Sequence, residues 1–210
     1  MWKLFKKKSK SPTAVIQTFE QEFSESEFAA ALKKLKARKA PGLDKIKNEM
    51  LTNLGPKGKA YLLQFINRTW RESQLPAAWR TAVLNPILKK GKKAGEPKNY
   101  RPISLTSSIG KLAERMVNYR LYWYLEKNGL LNNSQAGYCR GSRTGDQVFR
   151  LTQEVIDGFQ AKKDTYAIFI DLQQAYDRIW RKGLLMKMQK LGINGKMIGW
   201  IQAFLTNRTI

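Results

Sequence analysis

Helical periodicity broken by a few short β-rich runs predicts a helix-rich α+β fold. Three observations carry this. Apolar residues recur three and four apart in several stretches. The runs Thr81–Leu88, Arg101–Leu105 and Thr165–Ile170 favour strand. The composition can support a core, since 42% of the 210 residues are hydrophobic and 11% aromatic, unlike the low hydrophobicity that keeps chains unfolded. At about 100–200 residues per domain the length suits one domain or one and a half.

The elements follow in order. Ser24 and Glu27 form a capping-box pair ahead of Phe28, Ala31, Leu32 and Leu35, so a helix starts at Ser24 and runs until Pro41-Gly42 stops it. A second helix covers Ala60 to Gln74 on Leu63, Ile66 and Trp70 and ends at Leu75-Pro76. Thr81 to Leu88 is a strand in which Pro86 favours an edge or a bulge. Lys89 to Asn99, with Gly91, Gly95 and Pro97, is a long basic turn into a second strand at Arg101–Leu105. Helices follow on Ile109, Leu112, Ala113, Met116, Val117, Leu121 and Tyr124, and on Val148, Leu151, Thr152, Val155 and Phe159. Thr165–Ile170 is a continuous apolar run, which suits a strand covered on both faces. Two more helices complete the pattern, the last on Met197, Ile198, Ile201, Phe204 and Leu205.

Charge narrows the function. The chain carries 39 Lys and Arg against 16 Asp and Glu, a formal +23. Residues 1–80 hold +10, 81–125 hold +7, 126–180 hold zero and 181–210 hold +6. Solubility needs a net charge of only about 2–8, so the excess points to a polyanion, whose counterions Lys and Arg release. There is no His, and Cys139 is the one Cys. That excludes Ser-His-Asp and Cys-His catalysis within the chain, an HExxH zinc site, an internal disulfide and a CxxC knuckle. Chemistry then rests on carboxylates with metal ions, on Lys or on Tyr. No apolar run approaches the ~18–20 residues of a membrane span, and the start lacks the ~7–15-residue apolar stretch of a secretory signal. The lone Cys suits a reducing compartment, so the expected address is intracellular, nucleus or cytoplasm. The first ten residues, MWKLFKKKSK, resemble the opening of insect cecropins, but the pattern ends at Ser9-Lys10-Ser11-Pro12. A membrane-surface helix needs a sustained apolar face, and residues 1–23 are expected to form a disordered basic leader.

The run Phe169-Ile170-Asp171-Leu172-Gln173-Gln174-Ala175-Tyr176-Asp177 carries the chemistry. A strand ending in an acid holds a carboxylate rigidly enough to bind Mg²⁺. Strand-end Asp residues also form turns and cap helices, and spacing leaves both roles open. Tyr176, taken alone, serves equally as a packing ring.

Five blocks stand in sequence: KAPGLDKIKNEML (39–51), NYRPISLTSSIGKLAERMV (99–117), SQAGYCRGSRTGDQ (134–147), FIDLQQAYDRI (169–179) and WIQAFLTNR (200–208). In that order they resemble the reverse transcriptases of non-LTR, LINE-type retrotransposons, especially jockey-like ones, over residues 24–210. Leu43 and Lys45 stand where that family usually has Pro and Gly, and Ser142-Arg143-Thr144-Gly145 replaces the commoner Arg-Ser-Thr run.

The resemblance implies the fingers and partial palm of a right-hand polymerase, with 24–164 fingers-like and 165–210 a truncated partial palm. The implied activity is RNA-directed DNA polymerisation on an RNA template with a DNA primer and dNTPs, nucleotidyl transfer being assisted by two Mg²⁺ in the complete enzyme. By position Asp171 is the catalytic, first metal-binding aspartate and the Leu172 backbone carbonyl a further metal ligand. Tyr176 gates against a ribose 2′-OH. Gln174 and Ala175 lie under the incoming triphosphate, Arg101 packs on the base and pairs with phosphate, and Lys89 and Lys90 reach the outer phosphates. Gln135, Gly137 and Arg140 line the template path. The family's paired-aspartate box is not among these residues, so the chain alone is expected not to extend a primer. An exposed palm edge beside Ile168 and Ile170 is expected to self-associate. The alternative function is a non-catalytic nucleic-acid-binding remnant or decayed transposon product.

Overall fold

The computed structural model describes residues 19–172, 175, 176 and 178–209. Two compact units divide the chain. One comprises described residues 19–124 and 181–209, the other 125–180. The boundary expected at 164/165 falls inside the second unit.

The first unit holds the core. Helix α1 (Glu25–Lys33) starts as expected: the Glu27 N–H donates to Ser24 Oγ and the Ser24 N–H to Glu27 Oε2. It buries Phe28, Ala31 and Leu32 and ends at Lys33, well short of Pro41, because after Leu35 the basic run to Lys39 offers only the small Ala37, which stays exposed. The loop that follows is tied instead to α2 (Asn48–Thr52), with Asn48 Nδ2 donating to the Lys36 carbonyl at 2.8 Å and the Arg38 N–H to Glu49 Oε1 at 2.6 Å. Helix α3 (Pro56–Glu72) begins with proline at its first turn, buries Leu62, Leu63, Ile66 and Trp70, and stops at Ser73 in the left-handed region. A short helix, α4 (Ala77–Arg80), buries Trp79.

Strands β1 (Val83–Leu88) and β2 (Tyr100–Leu105) form an antiparallel hairpin with Val83 opposite Leu105 and Pro86 opposite Pro102. The Lys89 N–H donates to the Asn99 carbonyl, so the odd-numbered residues of β1 occupy hydrogen-bonded pairs and Pro86–Pro102 a non-hydrogen-bonded one. Neither proline therefore costs a ladder bond, and each removes the central outward N–H from one edge of the ribbon, which discourages further strand pairing. Pro86 thus lies on an edge strand, as its sequence suggests.

Helix α5 (Ser108–Lys127) turns Leu112, Ala113, Met116, Val117, Arg120 and Tyr124 inward. Helices α7 (Arg181–Lys190) and α8 (Gly195–Leu205) complete this unit, α8 packing on both α3 and α7 and burying Met197, Trp200 and Ile201. The start of α8 is held by a distant residue: the Lys196 N–H donates to Glu20 Oε1. Residues 19–23 depart from the disordered leader expected for 1–23. Phe19 is 2% and Phe23 3% exposed, two rings four residues apart whose burial outweighs the local charge. Residues 1–18 lie outside the described residues.

The centre of this core is charged. Arg120, 6% exposed, donates Nε to Glu27 Oε1 at 2.6 Å and Nη2 to Glu27 Oε2 at 2.8 Å. Nη1 also donates to the Gln21 carbonyl (2.6 Å) and Nη2 to the Glu22 carbonyl (2.8 Å). Its guanidinium carbon lies 4.1 Å from the centre of the Phe23 ring and 5.6 Å from that of Trp70. Asn67 finishes the cradle, accepting from the Phe23 N–H at 2.7 Å and donating to the Phe23 carbonyl at 3.0 Å.

Gly42 is buried for a different reason. A Cβ there would lie 2.6 Å from the Thr106 carbonyl carbon and 2.7 Å from the Ser107 N, where β2 passes into α5. Proline-glycine is thus more than a helix stop; it lets two backbones touch. Lys45, standing where the resembling family has Gly, keeps the left-handed backbone at φ 55°.

The second unit is built differently. After a turn at 128–143, helix α6 (Thr144–Gln160) has no buried residue, although Val148, Leu151, Val155 and Phe159 share a face. The chain reverses at Lys162 and lays the Thr165 hydroxyl against Gly158, where a Cβ would stand 2.4 Å from Oγ1. The strand expected at Thr165–Ile170, covered on both faces, does not form. These residues belong to no helix or strand, and Ile168 is 86% and Ile170 84% exposed. A strand exists only with a partner to accept its N–H and C=O groups, and among the described residues β1 and β2 pair only with each other.

Two outcomes follow. Gly42→Ala should destabilise the protein by about 1–3 kcal/mol through overpacking against fixed backbone. Gly137→Ala, whose Cβ would meet open space, should stay within about 0.5 kcal/mol in the same denaturant titration. Equal effects would remove the close-approach account. The second outcome concerns pH. Burial raises the Glu27 carboxyl, but bonds from Arg120 and Ser24 outweigh it and leave it below its ordinary value of 4.5. A depressed carboxyl contributes stability above its unfolded value, lost as pH falls through the folded one. Burial raises the Glu114 carboxyl, against the pull of Arg208 and Lys111, which gives the opposite slope above 4.5. Comparison with Glu27→Gln cancels that term: the variant should lose about 1–3 kcal/mol at pH 7 and depend less on pH below 4.5 than the parent.

Candidate functional site

The sequence-marked residues fall into two groups, one in each unit. On the hairpin, residues 89–101 hold Lys89, Lys90, Lys92, Lys93, Lys98 and Arg101 with Glu96 as the sole acid, and Glu96 is paired to Lys98 at 2.8 Å. Local bonds shape the turn. Lys89 Nζ donates to the Lys98 carbonyl at 2.7 Å, and Asn99 Nδ2 to the Lys93 carbonyl at 2.9 Å. Lys89 is thus a strut of the turn, with its ammonium occupied at the base. Lys90, Lys92 and Lys93 are exposed beyond it, and Arg101 is exposed on β2 opposite Ile87. Such a finger of positive charge, with Lys89 fixed by its own backbone, suits phosphate.

The second group lies in residues 125–180. The Gln135 N–H donates to the Asn132 carbonyl at 2.9 Å, and Gln135 Nε2 to the Gly137 carbonyl at 3.3 Å. The turn continues through Tyr138 at φ 61° and Gly141 at φ 76°. Arg140 is exposed on it. Asp171 and Leu172 end that segment, both exposed, and Ala175 and Tyr176 follow in a turn. Gln174 and Asp177 lie outside the described residues. A hydrogen bond joins the hydroxyls of Tyr138 and Tyr176, so the 134–147 and 169–179 blocks meet in space. That bond, with lesser help from burial and the Tyr138 charge, pushes the Tyr176 phenol above its ordinary value.

Asp171 and the Leu172 carbonyl offer hard oxygen donors of the kind Mg²⁺ takes, commonly one or two carboxylates with the rest from water and phosphate. Among the described residues no group of three His, Cys, Asp or Glu side chains gathers into a metal cluster. The donor set therefore fits such an ion as a partial one. Among these residues, too, no helix is long and apolar enough to cross a membrane. Sequence reasoning quoted Tyr138 within its block without singling it out. Its signal is conformational, an aromatic residue in the left-handed region that favours glycine, and becomes visible only with the backbone.

Comparison with known proteins bears on both groups. Residues 87–210 match the family model for reverse transcriptase (RNA-dependent DNA polymerase). The chain is 37% identical over 182 residues to a probable RNA-directed DNA polymerase from transposon BS of Drosophila melanogaster, covering 87% of this chain and 20% of that protein. It is 30% identical over 186 residues to a probable RNA-directed DNA polymerase from transposon X-element of the same fly, covering 89% and 20%. It is 33% identical over 175 residues to the RNA-directed DNA polymerase from mobile element jockey of Drosophila funebris, covering 83% and 19%. The chain thus spans about a fifth of the length of these relatives.

Proposed function

The chain belongs to the reverse transcriptase (RNA-dependent DNA polymerase) family, and on that premise we propose that it forms the template- and nucleotide-binding part of an RNA-directed DNA polymerase of a non-LTR retrotransposon. The observation that carries the reading is the Tyr138–Tyr176 contact, which brings the block assigned to template beside the block assigned to nucleotide. In this reading residues 24–164 correspond to fingers and 165–210 to part of a palm. Its partners are an RNA template, a DNA primer and dNTPs, at an intracellular site, nucleus or cytoplasm.

Each residue acts according to its chemistry. Lys90 and Arg101 pair with the triphosphate of the incoming nucleotide, and the planar guanidinium of Arg101 also stacks on a base. Lys89 holds the turn that presents them and adds its charge to the field. Gln135, Gly137 and Arg140 contact the template strand, Arg140 through phosphate. Gln174 and Ala175 offer backbone N–H groups to the triphosphate. The Tyr176 ring lies against the sugar and excludes a 2′ oxygen by contact. Asp171 and the Leu172 carbonyl would hold Mg²⁺, which when bound polarises phosphoryl oxygen and neutralises charge developing in nucleotidyl transfer.

Self-association belongs to the same reading. Ile168, Ile170 and Leu172 are exposed on a segment that joins no sheet among the described residues, the kind of surface that adds strands. The occupant proposed is a second copy of this chain. Residues 126–180 are neutral in a chain of +23, so they form the surface on which two copies meet without net repulsion.

Two measurements test these statements. Single-stranded RNA affinity should fall with salt at a log–log slope of about −0.7 per phosphate neutralised. Changing Lys90, Lys92 and Lys93 together to Ala, with Lys89 left to hold the turn, should shallow the slope by about 2; an unchanged slope places the phosphate contacts elsewhere. In sedimentation at micromolar concentration the chain should associate and Ile170→Lys should return it to monomer. A compact monomer before substitution would remove the second-copy proposal.

A further inference from the structure

Sugar discrimination by a ring is a matter of small distances. Excluding one oxygen requires the ring to be held to about 0.5 Å, and Tyr176 lacks the packing that usually does this, being 69% exposed. An exposed side chain without restraint changes rotamer on the picosecond to nanosecond scale. Among the described residues, the hydroxyl bond to Tyr138 restrains the Tyr176 side chain.

Tyr138 is placed for that contact at some conformational expense. It is 89% exposed, so packing does not explain its position, and its φ of 61° is unfavourable for an aromatic residue. Two local features stabilise this turn. The Cys139 N–H donates to the Ala136 carbonyl at 3.2 Å, and Gln135 Nε2 donates to the Gly137 carbonyl just before Tyr138. Strained backbone held by local bonds, aiming a side chain at a residue 38 positions away, marks a turn shaped for that contact.

We propose that Tyr138 is a positioning residue for nucleotide selection: its hydroxyl sets the tilt of the Tyr176 ring and ties sugar discrimination to the turn that carries Gln135, Gly137 and Arg140. The inference rests on the reading of Tyr176 as the sugar gate. It adds a consequence that this reading lacks. A template strand that shifts the 132–143 turn also shifts the gate, so template engagement and sugar choice are energetically linked and, at the level of binding, reciprocal.

The test uses the purified chain with Mg²⁺ and ATP or dATP as probes, and reads the ratio of their dissociation constants. Tyr176→Ala should abolish the preference for dATP. Tyr138→Phe and Tyr176→Phe each keep a ring and lose one hydroxyl, so each should reduce the preference by about threefold to tenfold, the weight of one hydrogen bond. The double Phe variant should be no worse than either single one, the signature of a direct pair. RNA oligonucleotide affinity should not change in Tyr138→Phe. Without nucleotide, the Tyr176 ring resonances and ionisation should move toward those of an ordinary exposed tyrosine when Tyr138 becomes Phe. Additive Phe effects, or Tyr176 signals that do not move, overturn the pairing while leaving the gate intact. Loss of RNA affinity in Tyr138→Phe overturns it too, and assigns the Tyr138 hydroxyl to a hydrogen bond with the template. A chain that binds neither probe, treats both alike, or is unaffected by Tyr176→Ala fails as a sugar gate, and the inference falls with that reading.

Discussion

A single buried guanidinium organises the first unit. Arg120 carries a full charge at 6% exposure, which would be prohibitive without complete pairing. Its partners come from three places: a carboxylate on α1, two carbonyls from the segment preceding α1, and the faces of Phe23 and Trp70. Satisfying that one charge fixes the spacing of α1, α3 and α5 together. The Phe23 backbone is caught again by Asn67, and the Gln21 carbonyl also accepts from Trp70 Nε1 at 3.0 Å. Breaking any member exposes the rest to an unmet polar group, so the network acts as a unit.

With that core in place, the hairpin can be almost wholly exposed and still be shaped. Its geometry comes from its own ladder, its prolines and the bonds that close the basic turn. The rigid core need only hold the ends, and it does so where β2 enters α5 against Gly42. This arrangement lets a concentrated positive charge project into solvent without costing the core anything in desolvation. Charge on such a projection is effective toward a polyanion because Lys90, Lys92, Lys93 and Arg101 stay exposed to solvent.

Residues 125–180 obey a different rule. Among the described residues they contain no fully buried side chain although they are rich in apolar ones, and they carry no net charge. Their order is local: a helix cap at Arg143–Asp146, a reversal after α6, and one hydroxyl pair between distant tyrosines. A surface of this kind is completed by whatever covers it, and the same exposure that leaves Ile168 and Ile170 open presents Asp171 to solvent.

Helix positions, the hairpin, the edge role of Pro86 and the family itself were legible in the residues, because each is written in neighbours: a capping box, an apolar period, a proline, a block of adjacent motif residues. The candidate site was legible as a set of names, since Lys90, Arg101, Asp171 and Tyr176 are of types suited to phosphate, metal and sugar. Tertiary structure alone decided that Arg120 is a core residue, because a basic side chain in a chain of +23 looks like any other until its partners 93 and 99 positions away are known. It alone gave Phe19 and Phe23 to the core and showed Gly42 to be a contact between backbones. It alone left Thr165–Ile170 without a ladder, since an apolar β-rich run states a preference for strand but not the presence of a partner. Composition and spacing report what a segment favours; only the meeting of distant segments determines whether that preference is satisfied.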